Sequence, residues 1–248
     1  MTLPRPEYPR PILVRDRWLN LNGPWAFCQD RDDHGLRAQW FRDGLPDPDE
    51  IIVPYPVQAP ASGVGDPDPA AVVWYQRDVV IPGDWQCRVV LRVGACDHWT
   101  RVFVNGLEVG QHRGGYAPFA FDIEHALRPG VNRIIFRVAD SLSWTQPRGK
   151  QAGTTRWPID YDGVTGIWQT VWLEPLPAIS IDSTAVQFAH ATGALTFTAC
   201  FSGQVDGDVS LEIHREGTCV AKASGDSRLR SEARLNLVIE DGDLWSPE

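Results

Sequence analysis

The sequence predicts an all-β protein of two successive domains, and three observations carry that prediction. Short runs of Val, Ile, Phe and Trp are punctuated throughout by 20 prolines and 22 glycines, the pattern of strands separated by turns. No stretch holds a helical period long enough to supply a layer of helices. Tryptophan is dense up to about Pro177, and beyond it aromatics thin out and two-residue alternation becomes cleaner. This change of composition places one domain at 1–177 and a second at 178–248.

In the first domain the predicted strands are 88–93 (RVVLRV), 100–104 (TRVFV), 132–138 (NRIIFRV) and 167–173 (IWQTVWL). Asn105-Gly106 follows the second of them, and this pair suits a type I′ hairpin turn because both of its residues tolerate positive φ. On 167–173, Ile167, Val171 and Leu173 share one face and Trp168 and Trp172 the other, so burial on both faces is expected. Helix is limited to short pieces near 37–41 and 122–127, the latter capped by Asp122 and stopped by Pro129-Gly130. In the second domain the predicted strands are 179–186, 194–201, 208–215, 218–223 and 235–239, with turns at Gly203 and Asp206-Gly207. An immunoglobulin-like sandwich takes about seven strands in about 100 residues. With about seventy residues to 248, the second sandwich reads as unfinished.

A content of 43% hydrophobic and 10% aromatic residues can build real cores. The net charge of -9 and pI near 5.1 argue against nucleic acid as a partner, which needs a basic face. Prolines in MTLPRPEYPRPILV occupy the place of a secretory apolar core, and no window approaches the roughly 18 apolar residues of a membrane span. The expectation is a soluble, cytoplasmic chain with no membrane partner. The five cysteines, Cys28, Cys87, Cys96, Cys200 and Cys219, lack CxxC spacing and read as buried free thiols. None of the six histidines pairs with another at ligand spacing, so no locally built metal site is expected.

An ordered series of motifs spans nearly the whole chain: LNLNGPWAF (19–27), IIVPYPVQAPASGVG (51–65), VVWYQRDVVIP (72–82), VFVNGLEVGQHRGGYAPFAFDI (102–123), VNRIIFRVAD (131–140), RGKQ (148–151) and TGIWQTVWLE (165–174). With this series the chain resembles the amino-terminal portion of glycoside hydrolase family 2, which includes β-galactosidases, β-glucuronidases and β-mannosidases. The resemblance implies a jelly-roll, galactose-binding-like β-sandwich followed by an immunoglobulin-like one. It also implies a catalytic (β/α)8 barrel entered after a WSPE-like segment such as 245–248. In that family two barrel glutamates, one preceded by asparagine, lie about 5 to 5.5 Å apart and cleave O-glycosidic bonds with retention. Asn20, Asn22, Asn105, Asn132 and Asn236 are none of them followed by Glu, so the catalytic residues are expected outside this sequence. The implied role is to shape the substrate entrance and bind a β-linked saccharide, within an enzyme that can be a homo-oligomer. The alternatives are a free-standing carbohydrate-binding module and a scaffold without ligand.

The resemblance assigns sugar binding to an aspartate six residues ahead of the glycine that opens the last motif, which here is Asp160 ahead of Gly166. A carboxylate suits adjacent sugar hydroxyls because it accepts from both at once. No cofactor is implied, although a Na⁺ or Mg²⁺ ion near the sugar is compatible with the family. Read from its own residues, Asp160 has a second role open to it, capping its turn through the backbone, and the same two readings apply to Asp162. Trp144, Trp157 and Tyr161 are candidates to stack on a sugar face, whereas Trp25, Trp74, Trp168 and Trp172 read as core or domain-interface residues. Asp66 and Asp68 lie where relatives send a second polar residue toward substrate, and by composition read as an exposed turn. Arg148 and Lys150 suit a carboxylated sugar or a solvated loop. Gly114-Gly115-Tyr116 reads as a tight turn.

Overall fold

The structure is a computed structural model that describes residues 2–85, 88–141, 145–151 and 157–239. The chain divides into two compact units, Met1–Pro175 and Leu176–Glu248. In the first unit the strands are β1 Leu19–Asn20, β2 Gly23–Gln29, β3 Asp49–Val53, β4 Val72–Val80, β5 Arg88–Val93, β6 Cys96–Asp97, β7 Trp99–Val104, β8 Leu107–Arg113, β9 Phe119–Asp122, β10 Val131–Ala139, β11 Gly166–Ile167 and β12 Val171–Leu176, with one short helix, α1 Trp40–Asp43. A six-stranded sheet in the order β3-β2-β4-β10-β7-β8 faces a four-stranded sheet in the order β1-β12-β5-β9, and β6 and β11 form a small ladder of their own.

Two-residue alternation decides which side chains fill the space between the sheets. Val73 and Tyr75 on β4, Val102 and Val104 on β7, and Ile134, Phe136 and Val138 on β10 meet Leu91 and Val93 of β5 and Leu173 of β12 in one apolar core. Burying each of these large side chains is worth about 1.5–3 kcal/mol. The opposite face of the six-stranded sheet is also covered, because Val72, Trp74, Phe103 and Ile135 pack beneath Trp40 of α1. Trp40 meets Trp74 edge-on with centroids 5.6 Å apart. The buried Asp30 carboxylate ties this second layer down, accepting from Trp74 Nε1 at 3.0 Å and from the Gly35 amide at 2.9 Å.

Several sequence expectations are met. The strands at 88–93, 100–104 and 132–138 are β5, β7 and β10. Asn105 and Gly106 have φ of 51° and 86° and join β7 to β8, as a type I′ turn requires. The two predicted helical pieces are α1 and the 3-10 turn Glu124–Ala126, whose Glu124 amide donates to Asp122 Oδ1 at 3.2 Å, and a further 3-10 turn, Pro60–Ser62, stands beside them.

Three expectations are corrected. The run 167–173 is broken, because β11 pairs with β6 while β12 pairs with β1. Between them the Trp168 and Gln169 amides both point at the Ala95 carbonyl at 3.3 Å, so the chain changes sheets at that point. Trp172 is buried, while Trp168 is only partly so. The cysteines are free, but only Cys96 is fully buried; Cys28 and Cys200 are half-buried and Cys219 is exposed, while Cys87 lies outside the described residues. Gly203 lies inside a strand of the second unit and not in a turn.

The second unit has five strands among the described residues: β13 Ile181–Ala189, β14 Ala194–Val205, β15 Asp208–Arg215, β16 Thr218–Asp226 and β17 Arg230–Val238. β13, β14 and β17 form one antiparallel sheet, and β15 and β16 a hairpin ladder. The β14–β17 register shifts between Cys200 and Val205, a bulge that accommodates Gly203 within the strand. The buried apolar side chains here are small in number, Leu195, Ala199, Ala233 and Leu235 among them.

Candidate functional site

The chain leading into β11 carries most of the residues nominated from the sequence. Residues 157–160 close a turn in which the Asp160 amide donates to the Trp157 carbonyl at 2.9 Å and the Trp157 amide donates to Asp160 Oδ2 at 2.8 Å. The capping role open to Asp160 is therefore realised by one of its oxygens. Its Oδ1 has no hydrogen-bond partner among the described residues and keeps its lone pairs for another donor. On either side Trp157 is 78% exposed and Tyr161 64% exposed, and Asp162 is exposed as well.

Asp68 has no hydrogen bond to this turn among the described residues. It is exposed, and its amide donates to Asp66 Oδ1 at 3.0 Å, while Asp66 is held by Gln29 Nε2 at 2.9 Å. Trp144 lies outside the described residues. Arg148 donates to the Gln151 carbonyl at 2.9 Å, so it shapes its own loop, while Lys150 is exposed.

The turn is clamped to the sandwich by a buried amide that sequence reading did not single out. Gln151, 6% exposed, accepts from the Val164 amide at 2.6 Å through Oε1 and donates through Nε2 to Asp97 Oδ2 at 3.2 Å and to the Tyr116 hydroxyl. The Tyr161 amide donates to the Lys150 carbonyl at 3.0 Å, and Tyr161 bridges Gln151 in a parallel pair. On the other side of the loop Gln58 makes two hydrogen bonds with Thr165, donating from Nε2 to Oγ1 at 2.9 Å and accepting at Oε1 from the amide at 3.0 Å. The Thr165 hydroxyl donates to Asp140 at 2.8 Å. A carboxylate on so fixed a turn is preorganised, and rigid placement is what recognition groups need.

Asp97 is the electrostatically costly member of this network. It is 2% exposed, its Oδ1 has no partner, and burial pushes its carboxyl up to about 6, against the opposing pull of the Gln151 amide. A folded-state value above the ordinary 3.8 means that folding is favoured while Asp97 keeps its proton. The contribution is therefore lost as pH rises from about 4 through 6. Two units correspond to about 3 kcal/mol at most. Asp97→Asn should abolish this pH dependence: between pH 4.5 and pH 7.5 the urea midpoint of the wild type should fall relative to that of the variant. The amide's own unpartnered donor shifts both pH values equally, so only the slope is diagnostic, and an unchanged slope would refute the assignment.

One cluster of side chains of ligand type gathers across a hairpin. Glu212, His214 and Cys219, all exposed, bring their ligating atoms within 4.8 Å of one another. His214 and Cys219 are register partners across β15 and β16, a pairing invisible to a search for nearby histidines. Glu212 is already engaged by Lys222 Nζ at 2.5 Å.

The chain spans about two-fifths of the length of the curated relatives it matches. It is 33% identical over 260 residues to a β-glucuronidase of Paenibacillus borealis, covering 97% of this chain and 42% of the relative. It is 27% identical over 270 residues to the β-glucuronidase of Felis catus, covering 97% and 40%. In fold it matches a Bifidobacterium dentium β-glucuronidase solved with coumarin-3-O-glucuronide, at TM-score 0.75 and 22% identity, over 95% of this chain and 44% of that one. Residues 18–177 match the model of the sugar binding domain of glycosyl hydrolases family 2, and the sandwich of the first unit, with its clamped turn before β11, belongs to a member of that family.

Proposed function

We propose that this chain is the non-catalytic front portion of a retaining β-glycosidase that hydrolyses O-glycosidic bonds, and that its 157–162 turn contacts the sugar. The observation that carries the reading is the open Oδ1 of Asp160, held on a clamped turn between two exposed aromatic rings. Such a group accepts hydrogen bonds from hydroxyls while Trp157 and Tyr161 offer apolar faces to a pyranose ring. Asp162 extends the acceptor surface, and Asp68, exposed on its own loop, is a further contact. A glucuronide is favoured over a galactoside as substrate because the relatives that span 97% of the chain are β-glucuronidases. The exposed Trp157 also favours a second reading, a carbohydrate-binding module that works without a barrel.

Titration of the 248-residue chain with methyl β-D-glucuronide, galactose and mannose, followed by NMR at the amides of 157–162 and the Trp157 indole, tests the proposal. Saturable shifts for at least one sugar are expected on the millimolar scale, about -4 kcal/mol, and Asp160→Ala should remove them. No shift at the turn with any of the sugars would leave a scaffold without ligand.

A further inference from the structure

The outer face of the four-stranded sheet holds a pocket that the clamped turn does not use. Its cavity of about 350 Å³ is bounded by Arg10 of the N-terminal segment, Arg92 of β5, Trp172 of β12, Tyr116, Phe119 and Gln169. That volume lies in the range of small-molecule sites. Beneath it Glu174, fully buried, is saturated: it accepts from Arg92 Nε at 2.6 Å, Trp172 Nε1 at 2.7 Å and the Tyr8 hydroxyl at 2.5 Å. Arg92 holds the direct ion pair with this carboxylate, and Arg10 feels it only through space. The Arg10 Nη1 is buried without a hydrogen-bond partner among the described residues.

A guanidinium nitrogen buried at a cavity wall without an acceptor is unfavourable until a ligand supplies one. Burial first, and then the like charge of Arg92, hold the Arg10 guanidinium below its ordinary range against the opposing pull of Glu174. A carboxylate answers both, since it accepts from planar guanidinium forks in pairs. The remaining walls select what carries the carboxylate. Tyr116, 55% exposed and anchored through its hydroxyl to Gln151, presents ring surface, and the Gln169 amide offers both donor and acceptor to hydroxyl groups.

We propose that this pocket is a second saccharide site, taking a carboxylate-bearing sugar of hexuronate type, with Arg10 and Arg92 on the carboxylate and the aromatic wall against the ring. The site shares no residue with the 157–162 turn and does not rest on the proposed role of Asp160.

The test is NMR titration of the 248-residue chain with sodium D-glucuronate, glucose and acetate, read at the Trp172 indole and the amides of Arg92 and Ala120. Glucuronate should give saturable shifts, acetate binding should be about tenfold weaker, and glucose should give none at these probes. Arg10→Gln should weaken glucuronate about tenfold, the loss of one charge-assisted contact, with Arg10→Lys intermediate because it keeps the charge but not the fork. No bond within the protein is broken by either variant, and thermal melts confirm folding. Equal response to glucose, equal affinity for acetate, or indifference to Arg10→Gln each overturns the proposal. Asp160→Ala should leave these probes unchanged while silencing those at 157–162, so either site can fail without the other.

Discussion

Alanine at Gly166 should destabilise the first unit by about 4 kcal/mol, a large share of a domain's stability. Gly166 has φ of +85°, and a Cβ there would lie 1.9 Å from the hydroxyl oxygen of Tyr75. The left-handed conformation alone costs a side chain about 1–2 kcal/mol. Relieving the overlap means moving Tyr75, which is fully buried and packed on Phe27 with centroids 5.2 Å apart, or moving β11 off β6. Overpacking of this kind costs about 1–3 kcal/mol more. A domain's whole stability is about 5–15 kcal/mol. The double variant Gly166→Ala with Tyr75→Phe should recover part of the loss, since it removes the clashing oxygen but not the strained φ. Urea unfolding reads both, and a single variant within about 0.5 kcal/mol of wild type would show that Gly166 is not the constraint described.

Glu174→Gln is expected to cost about 3–5 kcal/mol, the usual loss when one partner of a buried ion pair is removed. Glu174 is fully buried and Arg92 nearly so, and the glutamine would leave Arg92 and Arg10 facing one another with no counter-charge. The same carboxylate holds the N-terminal segment, because Tyr8 donates to it, and burial with this contact pushes the Tyr8 hydroxyl well above its ordinary range. The variant should therefore show both a lower urea midpoint and faster amide exchange across residues 5–13. Unchanged exchange in that segment would mean that other contacts hold it.

What was legible in the sequence is what depends on neighbours along the chain. The periods of RVVLRV and NRIIFRV declared strands, and Asn-Gly declared a hairpin, because local sterics settle both. The break inside IWQTVWL was not legible: Ile167 and Val171 alternate as one strand should, and only the pairing of β11 with β6 and of β12 with β1 separates them. Asp160, Tyr161 and Trp157 could be nominated because they are contiguous. The residues that hold them could not, since Gln151 reaches Asp97 across 54 positions and Gln58 reaches Thr165 across 107. A glutamine carries no mark of such a partner. RGKQ and GGYAPF did appear among the ordered motifs, yet nothing in their composition distinguishes a clamp from a turn. Arg10 and Glu174 were hidden for the same reason, an ion-pair imbalance being a property of the assembled sheet face.

The central claim is that the 157–162 turn serves hydrolysis of a glycosidic bond, and the complete gene product offers the most direct measurement. It should hydrolyse an aryl β-D-glucuronide with the β-anomer of glucuronate released first, as a retaining mechanism demands. Asp160→Asn keeps an oxygen to accept from the Trp157 amide, so the turn remains capped, but it removes the charge offered to the sugar. Its kcat/KM should fall about a hundredfold, roughly 2.7 kcal/mol, with an unchanged melting temperature. Release of the α-anomer first, or a kcat/KM equal to that of the wild type, would contradict the account.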